Sequence, residues 1–531
     1  MKPPCAEAAI QSKPAAAPCA KGAEPWILAV TILGSSMAFI DGTVVNVALP
    51  ALQANLGGTV VDLQWVVESY ALFMSALILT GGSLGDLFGR RRMFLFGVIL
   101  FTLASVACGV APDIRSLVLA RAVQGVGAAF LVPGSLSIIS ASFGEKERGR
   151  AIGTWSGFTA ITAAVGPVLG GWLIDHASWR WAFFINVPTA VAVIVLALWH
   201  VPESTAAGVK KVDWIGALLV TVGLGALTYG LIEAPNLGWR HAAVWGTLGI
   251  GIVSLVGFLA IEARATFPLV PLELFRSADF SGANLITLFL YAALGIFLFL
   301  FPLNLIQVQH YSATATGAAA LPLILLMFLL SRWSGGLIAS YGPRRPLIVG
   351  PAIAAAGFVL FAVPGVGGNY WTSFFPAFLV LGFGMAVSVA PLTTVVMGSV
   401  DQNRTGTASG INNAVARVAG LLAVAMVGMA ILSAFSSRLN PNLHTLGLSA
   451  DTLRAVQASE EKLAAMAAPA GIDSSTAAAI HAFVAQAFVF GFRIMMLLCA
   501  AFSLASAFFA WWMIGADQTK KLAGRPGLEP G

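Results

Sequence analysis

The sequence predicts an all-α polytopic membrane protein that crosses the bilayer fourteen times. Of its 531 residues, 58% are hydrophobic and only 10% are charged, whereas soluble globular chains carry about 25% charged residues. Apolar runs of about 20 residues, the length that a helix needs to cross the hydrocarbon core, recur from end to end. Because backbone groups in lipid must be hydrogen-bonded within their own segment, we expect these runs to be helices. They are too long and too evenly apolar for the strands of an outer-membrane barrel.

The first apolar run has no convincing cleavage site, so we interpret it as a retained span rather than a signal peptide. Thirteen further runs follow it, separated by short polar connections. The predicted spans cover about residues 26–48, 65–85, 93–111, 116–139, 150–174, 181–200, 213–233, 242–262, 280–306, 315–340, 347–363, 371–398, 406–434 and 482–514.

The connections between the spans alternate in charge, which an odd number of spans would not allow. One set has only scattered positive residues, such as Arg115, Arg180 and Arg240. Clusters of Lys and Arg mark the other set, and the positive-inside rule places these connections and both termini in the cytoplasm. Topology therefore explains the net charge of +6, and no nucleic-acid partner is expected. The clusters comprise Arg90–Arg92, Lys146 with Arg148 and Arg150, Lys210 and Lys211, Arg264 with Arg276, Arg344 and Arg345, Arg404, and Lys520 and Lys521.

The sequence carries no enzyme signature. It has no P-loop, its histidines are few and scattered, and no Cys/His spacing fits a metal site. Two of the cysteines lie in the N-terminal tail and two in apolar runs, so no disulfide framework is expected. We therefore expect no catalytic residue, no metal and no cofactor. Without an ATP site, a transporter of this kind would be driven by an ion gradient.

A repeated loop indicates two related six-span halves with two extra spans between them, an organisation that is common in secondary transporters. GSLGDLFGRRR (82–92) follows the second span, and GGLIASYGPRR (335–345) follows the tenth. In the first copy the glycines permit a tight turn, and the acid would pair with a cation or a helix N-terminus to hold one conformation. Ala339 replaces this acid in the second copy, and a turn that only anchors the topology is the alternative. The predicted gating residues are Gly82, Gly85, Asp86, Gly89, Arg90 and Arg91.

The predicted domain organisation follows from the spans and the repeat. An Ala-rich connection between the last two spans is predicted to form a short external helix or hairpin, or to be a tolerated insertion without a role. The domains are a cytoplasmic tail (1–25), an N-terminal six-helix bundle (26–200), two linker transmembrane helices (201–279), a C-terminal six-helix bundle (280–515) containing the external loop 435–481, and a cytoplasmic tail (516–531).

The stretch GTWSGFTAITAAVGPVLGGWLI (153–174) concentrates helix-weakening residues in one span. A membrane helix rarely gathers such residues unless another helix approaches closely or the backbone bends. We therefore predict a hinge or a seam here. The mirror span, 406–434, contains neither Gly-Pro nor Gly-Gly, so the feature belongs to one half. Its predicted residues are Gly153, Thr162, Gly166, Pro167, Gly170 and Gly171.

Together these motifs resemble the major facilitator superfamily. The 82–92 loop is similar to the family's signature between its second and third spans. FIDGTVVNVALP (39–50), LARAVQGVGAA (119–129) and GPVLGG (166–171) resemble motifs of its fourteen-span drug:proton antiporter branch, the EmrB/QacA-like group. Thr162 stands where that branch usually has glycine. The resemblance implies a major-facilitator fold with helices arranged 6+2+6, and associates the one-sided glycine–proline run with exchange rather than symport.

Asp41 and Arg121 are the leading candidates for proton coupling and substrate binding. An ionised carboxylate such as Asp41 is costly within a span and usually functional. Burial favours its protonated form, whereas the fixed charge of Arg121 would favour the ionised form of a nearby acid. The resemblance implies proton coupling or cation binding for Asp41 and proton transfer for Arg121, whose mirror position is Phe378. The alternatives are an acid needed only for packing and an arginine that extends to the cytoplasmic surface.

Glu68 and Glu233 lie near the predicted outer ends of their spans. Either would receive cationic groups of a substrate at the external mouth, and simple solvation at the interface is the alternative. The 34 Phe and 14 Trp suit a pocket for amphipathic cations, although lipid-facing positions also supply such residues.

The sequence predicts a proton-coupled secondary transporter in the cell (inner or plasma) membrane. It would export hydrophobic, cationic drugs or toxic compounds by alternating access. A transporter that exports or takes up one endogenous metabolite is the alternative within the same class. A receptor or scaffold is the alternative from another class, and would not need Asp41. The expected partners are a small-molecule substrate, protons and the lipid bilayer, and the sequence leaves open whether a periplasmic adaptor binds.

Overall fold

A computed structural model describes residues 23–205, 213–265, 268–400, 405–469 and 472–515. Within these residues the regular structure is helical, and thirteen helices are long and apolar enough to cross a membrane. This confirms the all-α class, whereas the count of fourteen is not confirmed and stays a prediction. The predicted fifth span lies in helix Glu145–His176, which is not among the thirteen. Most of the two predicted tails, residues 1–22 and 516–531, lies outside the described residues.

The chain forms two compact units. The first consists of the residues up to Leu269 together with Tyr311–Ala318, and the second of the remainder. The helices of the first unit before residue 269 are α1 (Glu24–Leu56), α2 (Val60–Phe88), α3 (Arg90–Gly109), α4 (Ile114–Ser142), α5 (Glu145–His176), α6 (Trp181–Phe184), α7 (Asn186–His200), α8 (Trp214–Leu237) and α9 (Ala242–Glu262).

The second unit begins with a 3-10 turn, Leu272–Arg276, and its first long helix ends in a π-helical turn, Asn304–Val308. Helix α11 belongs to the first unit except for its last residue, Ala319, and is numbered in chain order with the helices of the second unit. The helices are α10 (Ala278–Leu303), α11 (Ala313–Ala319), α12 (Leu321–Tyr341), α13 (Arg344–Phe361), α14 (Tyr370–Ser373), α15 (Phe375–Gly398), α16 (Thr405–His444), α17 (Ala450–Gln457) and α18 (Ser474–Met513).

Side-chain caps fix where α2 and α4 begin, two helices that carry candidate functional residues. Thr59 and Asp62 form a capping box at the start of α2, with Asp62 N donating to Thr59 Oγ1 at 3.2 Å. Asp113 and Ser116 form the equivalent box at the start of α4. The hydrogen bonds from the Ser116 amide and hydroxyl lower the pKa of the Asp113 carboxyl. The cap is therefore ionised at neutral pH, as the N-terminus of a helix favours.

Glycines bring α2, α3 and α4 into close contact in the first unit. A Cβ at Gly125 would collide with the carbonyl oxygen of Tyr70, and one at Gly127 would lie 2.6 Å from the amide nitrogen of Phe101. Small residues allow such close approach between membrane helices. Tyr70 itself also contacts α1, because its hydroxyl group donates to the carbonyl oxygen of Ala38 at 3.3 Å.

The core of the second unit is rich in phenylalanine. The Phe297 and Phe361 rings lie 4.7 Å apart between centroids, and Phe378 lies 5.0 Å from Phe301 and 4.9 Å from Phe361. All four side chains are buried. Edge-to-face and tilted pairs of this kind stabilise an apolar core beyond the area that they bury.

The predicted external loop, 435–481, is largely helical. Helix α16 continues to His444, and α18 begins at Ser474, so both helices extend beyond the predicted spans. Between them lie α17 and a 3-10 turn, Glu460–Ala465. Gln457 donates to Asn440 Oδ1 at 3.0 Å, which joins this segment to the end of α16. Hydropathy located the span edges and not the helix ends, because a helix can continue in water after the apolar run stops.

Candidate functional site

A buried ion pair joins helices α1 and α4 in the first unit. Asp41 on α1 and Arg121 on α4 each expose only 1% of their surface. The Arg121 Nη1 group donates to Asp41 Oδ2, and Gln124 Nε2 donates to Asp41 Oδ1 at 2.7 Å. Both carboxylate oxygens therefore accept hydrogen bonds, one from Arg121 and one from Gln124.

Arg121 is fixed by contacts on several sides. Its Nε donates to the carbonyl of Val66 at 3.1 Å, and Nη1 donates to Gln124 Oε1 at 2.7 Å. The guanidinium carbon lies 4.2 Å from the centre of the Tyr70 ring, within cation–π distance. The alternative in which Arg121 extends to an aqueous surface is wrong, because its charge is satisfied inside the unit.

The network continues beyond the ion pair through residues that sequence reasoning missed. Gln124 Nε2 also lies 3.3 Å from Ser105 Oγ on α3, and Asn186 Nδ2 on α7 donates to the same oxygen at 2.9 Å. Ser105 in turn donates to the carbonyl of Phe183 at 2.9 Å. These residues could have been identified from the sequence as polar residues within apolar runs. Gln124 is the clearest case, because it follows Arg121 by one helical turn.

Opening this pair has a large energetic consequence. Removing one charge of a buried, hydrogen-bonded ion pair costs about 3–5 kcal/mol, because the other charge is left buried without compensation. Protonating Asp41 has the same electrostatic effect as removing its charge. The arrangement can therefore act as a two-state element in which a proton or a cationic ligand competes with Arg121 for the carboxylate.

The mirror position has entirely different chemistry. Phe378, which the repeat aligns with Arg121, is fully buried among the phenylalanines of the second unit. The charged centre thus belongs to the first unit's version of the repeat. Among the described residues, no group of three or more His, Cys, Asp or Glu side chains could hold a metal ion.

The predicted gating loop forms a tight turn between α2 and α3. Gly89 has a φ of +112°, a conformation that favours glycine, whereas a Cβ at Gly82 or Gly85 would meet only ordinary contacts at 3.5 Å or more. Asp86 pairs with Arg90 of the same loop, one turn along the chain, at 2.8 Å. Its pairing is therefore local and not with a neighbouring helix N-terminus.

Glu203 caps the N-terminus of α3 and was missed by sequence reasoning. Its carboxylate accepts hydrogen bonds from the backbone amides of Arg91 and Arg92, both at 3.1 Å. The Arg91 Nη1 group donates to the carbonyl of Val201 at 2.9 Å. An acid directly after a span, in VPES, was the signal that could have indicated this cap.

The glycine–proline stretch packs tightly over part of its length. A Cβ at Gly170 would lie 2.6 Å from Val44 Cγ1, and one at Gly166 would collide with the Thr43 hydroxyl. A Cβ at Gly171 would lie 2.6 Å from the carbonyl carbon of Ala313. At Gly153, in contrast, no described atom beyond its own stretch of helix lies within 4 Å of the position that a Cβ would take, so Gly153 makes no such close contact and its part in a hinge stays a prediction.

Helix α5 runs through Pro167 without interruption, which favours a packing seam over a bend. Thr162 donates to the carbonyl of Thr159 at 2.9 Å, a bond to the preceding turn that the sequence led us to expect. At the end of α5, Asp175 accepts hydrogen bonds from the backbone amides of Ala313 and Thr314, at 3.1 and 2.8 Å. Asp175 thereby caps the start of α11, a contact that sequence reasoning missed.

Replacing Gly171 with Ala should weaken the packing of segment 311–318 on α5. The added methyl group would meet backbone atoms of Ala313, which cannot rotate away as a side chain can, so we expect backbone displacement and faster exchange of the 313–318 amides. Gly153→Ala is the matched control, since its methyl group would enter open space. Hydrogen–deuterium exchange of the two variants measures the difference, and equal exchange in segment 311–318 would contradict the seam.

The two remaining predicted acids lie away from the ion pair. Glu68 on α2 exposes only 1% of its surface, so its alternative role as a solvated interfacial acid is wrong. Glu233 on α8 is partly buried and accepts a hydrogen bond from Trp65 Nε1 at 2.7 Å. Neither acid takes part in the hydrogen bonds around Asp41, so the structure does not bring the four predicted coupling residues into one cluster.

Comparison with known proteins identifies the family of the chain. The model of the Major Facilitator Superfamily matches residues 31–424. The chain belongs to the major facilitator superfamily. Members of this superfamily are membrane transporters and not enzymes, in agreement with the sequence prediction. The chain is therefore a multi-pass membrane transporter.

Relatives in the superfamily include resistance and export proteins. The chain is 35% identical to the multidrug resistance protein Stp of Mycobacterium tuberculosis, with 78% of this chain and 77% of Stp covered. It is 32% identical to the tetracenomycin C resistance and export protein of Streptomyces glaucescens, with 77% and 76% covered. A solved structure of a bacterial homologue of the human lysosomal transporter Spinster matches with a TM-score of 0.64 at 17% identity, covering 93% of this chain and 98% of that one. This last similarity concerns the fold alone.

Proposed function

We propose that this transporter exports hydrophobic, cationic drugs or other toxic compounds in exchange for protons, by alternating access. The observation that carries the proposal is the buried pair of Asp41 and Arg121, with Gln124 on the second carboxylate oxygen. A titratable acid is held there by a competing cation inside a transporter whose relatives include resistance and export proteins. The EmrB/QacA-like motifs of the sequence support the same assignment.

In the proposed cycle Asp41 takes up a proton from outside the cell. Protonation removes the charge that attracts both Arg121 and a cationic substrate, so the substrate is released on that side. Loss of the proton to the cytoplasm restores the carboxylate and its affinity for a cation. Gln124 keeps the Asp41 side chain in place in both states, because an amide can hydrogen-bond to either form of the carboxyl.

The gating loop and the glycine seam are proposed to act on conformation. Asp86 and Arg90 stabilise the turn between α2 and α3, and Glu203 holds the N-terminus of α3. We place the protein in the cell (inner or plasma) membrane with both termini in the cytoplasm, since the basic loops follow that pattern. In this orientation, Asp175 and Thr314 lie at the external ends of their helices.

Transport by purified protein in liposomes tests the proposed function. An imposed pH gradient should drive accumulation of ethidium, a cation, and a protonophore should abolish it. Chloramphenicol, a neutral drug, serves as the comparison for charge selectivity. Ethidium transport that continues at the same rate without a pH gradient would contradict proton exchange.

Export of one natural compound is the second candidate function. The tetracenomycin C resistance and export protein and the probable actinorhodin transporter of Streptomyces coelicolor, which is 32% identical, are named for single compounds. A secretion defect confined to one metabolite, with drug sensitivity unchanged, would favour this candidate over multidrug export.

A further inference from the structure

The contact between α2 and α8 forms a second polar centre in the first unit. Trp65 Nε1 donates to Glu233 Oε1 at 2.7 Å, and the Trp65 ring lies 6.0 Å from that of Tyr229. Further along, Leu72 Cδ2 lies 3.6 Å from the position that a Cβ of Gly225 would take. As numbers rise along α2 they fall along α8, so the helices are antiparallel and these contacts fix their register.

This register places Glu68 opposite Thr228. Glu68 follows Trp65 by three residues and precedes Leu72 by four, so all three lie on one face of α2. Thr228 follows Gly225 by three residues and therefore lies on the matching face of α8. Glu68 exposes 1% of its surface and Thr228 exposes none.

Both side chains have an unsatisfied oxygen. Glu68 Oε2 and Thr228 Oγ1 are buried and make no hydrogen bond within the described residues. Buried polar atoms are hydrogen-bonded in the great majority of folded proteins, and leaving one unpaired is costly. A ligand that brings a positive charge or a donor between the two helices would satisfy these acceptors.

The side chains around Glu68 and Thr228 indicate which class of ligand would bind between the two helices. Glu68 and Glu233 supply two carboxyl groups, and neither has a salt-bridge partner among the described residues. Trp65 and Tyr229 supply two aromatic rings beside them. Carboxylates next to aromatic faces are suited to an aromatic cation, whose charge meets the acids and whose body meets the rings.

This centre is separate from the Asp41 ion pair because it uses another face of α2. Val66 and Tyr70 contact Arg121 on α4. Glu68 lies two residues from each, and two residues along a helix correspond to a rotation of about 200°. The side chain of Glu68 therefore points away from the face that contacts Arg121.

We propose that Trp65, Glu68, Thr228, Tyr229 and Glu233 form a binding site for an amphipathic aromatic cation, by which the extra helix α8 contributes to substrate recognition. This inference rests on the proposed drug export and adds a recognition site for the cation, distinct from the Asp41 carboxylate for which the cation competes with Arg121 in the proposed cycle. It also gives the extra helix pair a function. Leu255 and Leu248 of α9 pack against Gly223 and Gly230 of α8, and α9 thus supports α8 in its contact with α2.

Equilibrium binding to the purified full-length chain tests the site. Ethidium serves as the cationic probe, with fluorescence anisotropy as the readout, and N-phenylnaphthylamine serves as a neutral aromatic probe. Glu68→Gln and Glu233→Gln should each raise the Kd for ethidium by about tenfold, because each removes a charge-assisted contact. Binding of the neutral probe should change less than twofold. Asp451→Asn, an exposed acid on α17, is the control for loss of one negative charge and should leave both affinities unchanged.

If Glu68→Gln does not accumulate as folded protein, the test uses Thr228→Val and Glu233→Gln instead. Thr228→Val is suitable because valine has nearly the shape of threonine. Ethidium affinity within twofold of wild type in the folded variants would overturn the site. The same preparations are reconstituted for pH-driven export. Wild-type export combined with insensitive binding contradicts the site alone, whereas a wild type that exports nothing contradicts the proposed function, whatever the binding result.

Discussion

Replacing Asp41 with Asn is expected to reduce pH-driven export to the level of liposomes without protein, while folded protein is retained in the membrane. Asparagine keeps the shape of the side chain and an acceptor for Arg121, but it cannot gain or lose a proton. If the transport cycle passes through neutral Asp41, the fold must tolerate this uncharged state. Uptake of ethidium driven by a pH gradient provides the measurement.

Asp113→Asn is the matched control for this experiment. It makes the same chemical change at an exposed helix cap, where asparagine is about as good a capping residue as aspartate. Export by this variant should equal that of wild type. Export by folded Asp41→Asn at the wild-type rate would rule out Asp41 as the coupling residue, and the proposed mechanism with it.

Replacing Arg121 with Met should have the largest effect on stability. The substitution keeps an extended apolar stem but leaves the Asp41 carboxylate buried with only Gln124 as a partner, at a cost of about 3–5 kcal/mol. Because the folded variant would prefer the protonated acid, its stability should be greatest at low pH and should fall as the pH rises. The free energy of unfolding, measured by SDS titration in mixed micelles over a pH series, checks both expectations.

Two comparisons make the Arg121 result specific. The double variant Asp41→Asn with Arg121→Met removes both charges and should recover most of the lost stability. Arg493→Met is the arginine control, since Arg493 donates to the carbonyl oxygens of Val363 and Pro364 and has no acid partner among the described residues. Its loss should have a smaller effect that does not vary with pH. A pH-independent loss in Arg121→Met would contradict a charged Asp41 in the native state.

Several functional features could be predicted from the sequence because they depend on local properties. Long apolar runs located the helices, since lipid leaves a spanning backbone few alternatives. A charge inside such a run identified Asp41 and Arg121 as functional candidates, because burying a charge is costly. The loop 82–92 was located by its repeat, and the left-handed backbone of Gly89 explains one of its glycines.

The partners of these residues were not predictable in the same way. Gln124, Ser105 and Asn186 complete the ion-pair network, yet they come from three different helices. Glu203 caps α3 from more than a hundred residues away along the chain. Each has an ordinary polar side chain at a position where the sequence gives no unusual pattern. Only the packing of the helices determines which polar groups face one another.

By itself the sequence determined the helical class, the approximate spans and the repeat, and it identified Asp41 and Arg121 as candidates. These depend on hydropathy and on the cost of placing charge in lipid, which are properties of single segments. The tertiary structure decided that Asp41 pairs with Arg121, that Gly171 packs against another segment while Gly153 does not, and that Trp65 of α2 donates to Glu233 of α8. Such pairings depend on helix register and on the distance between helices, which are set by many weak packing contacts acting together.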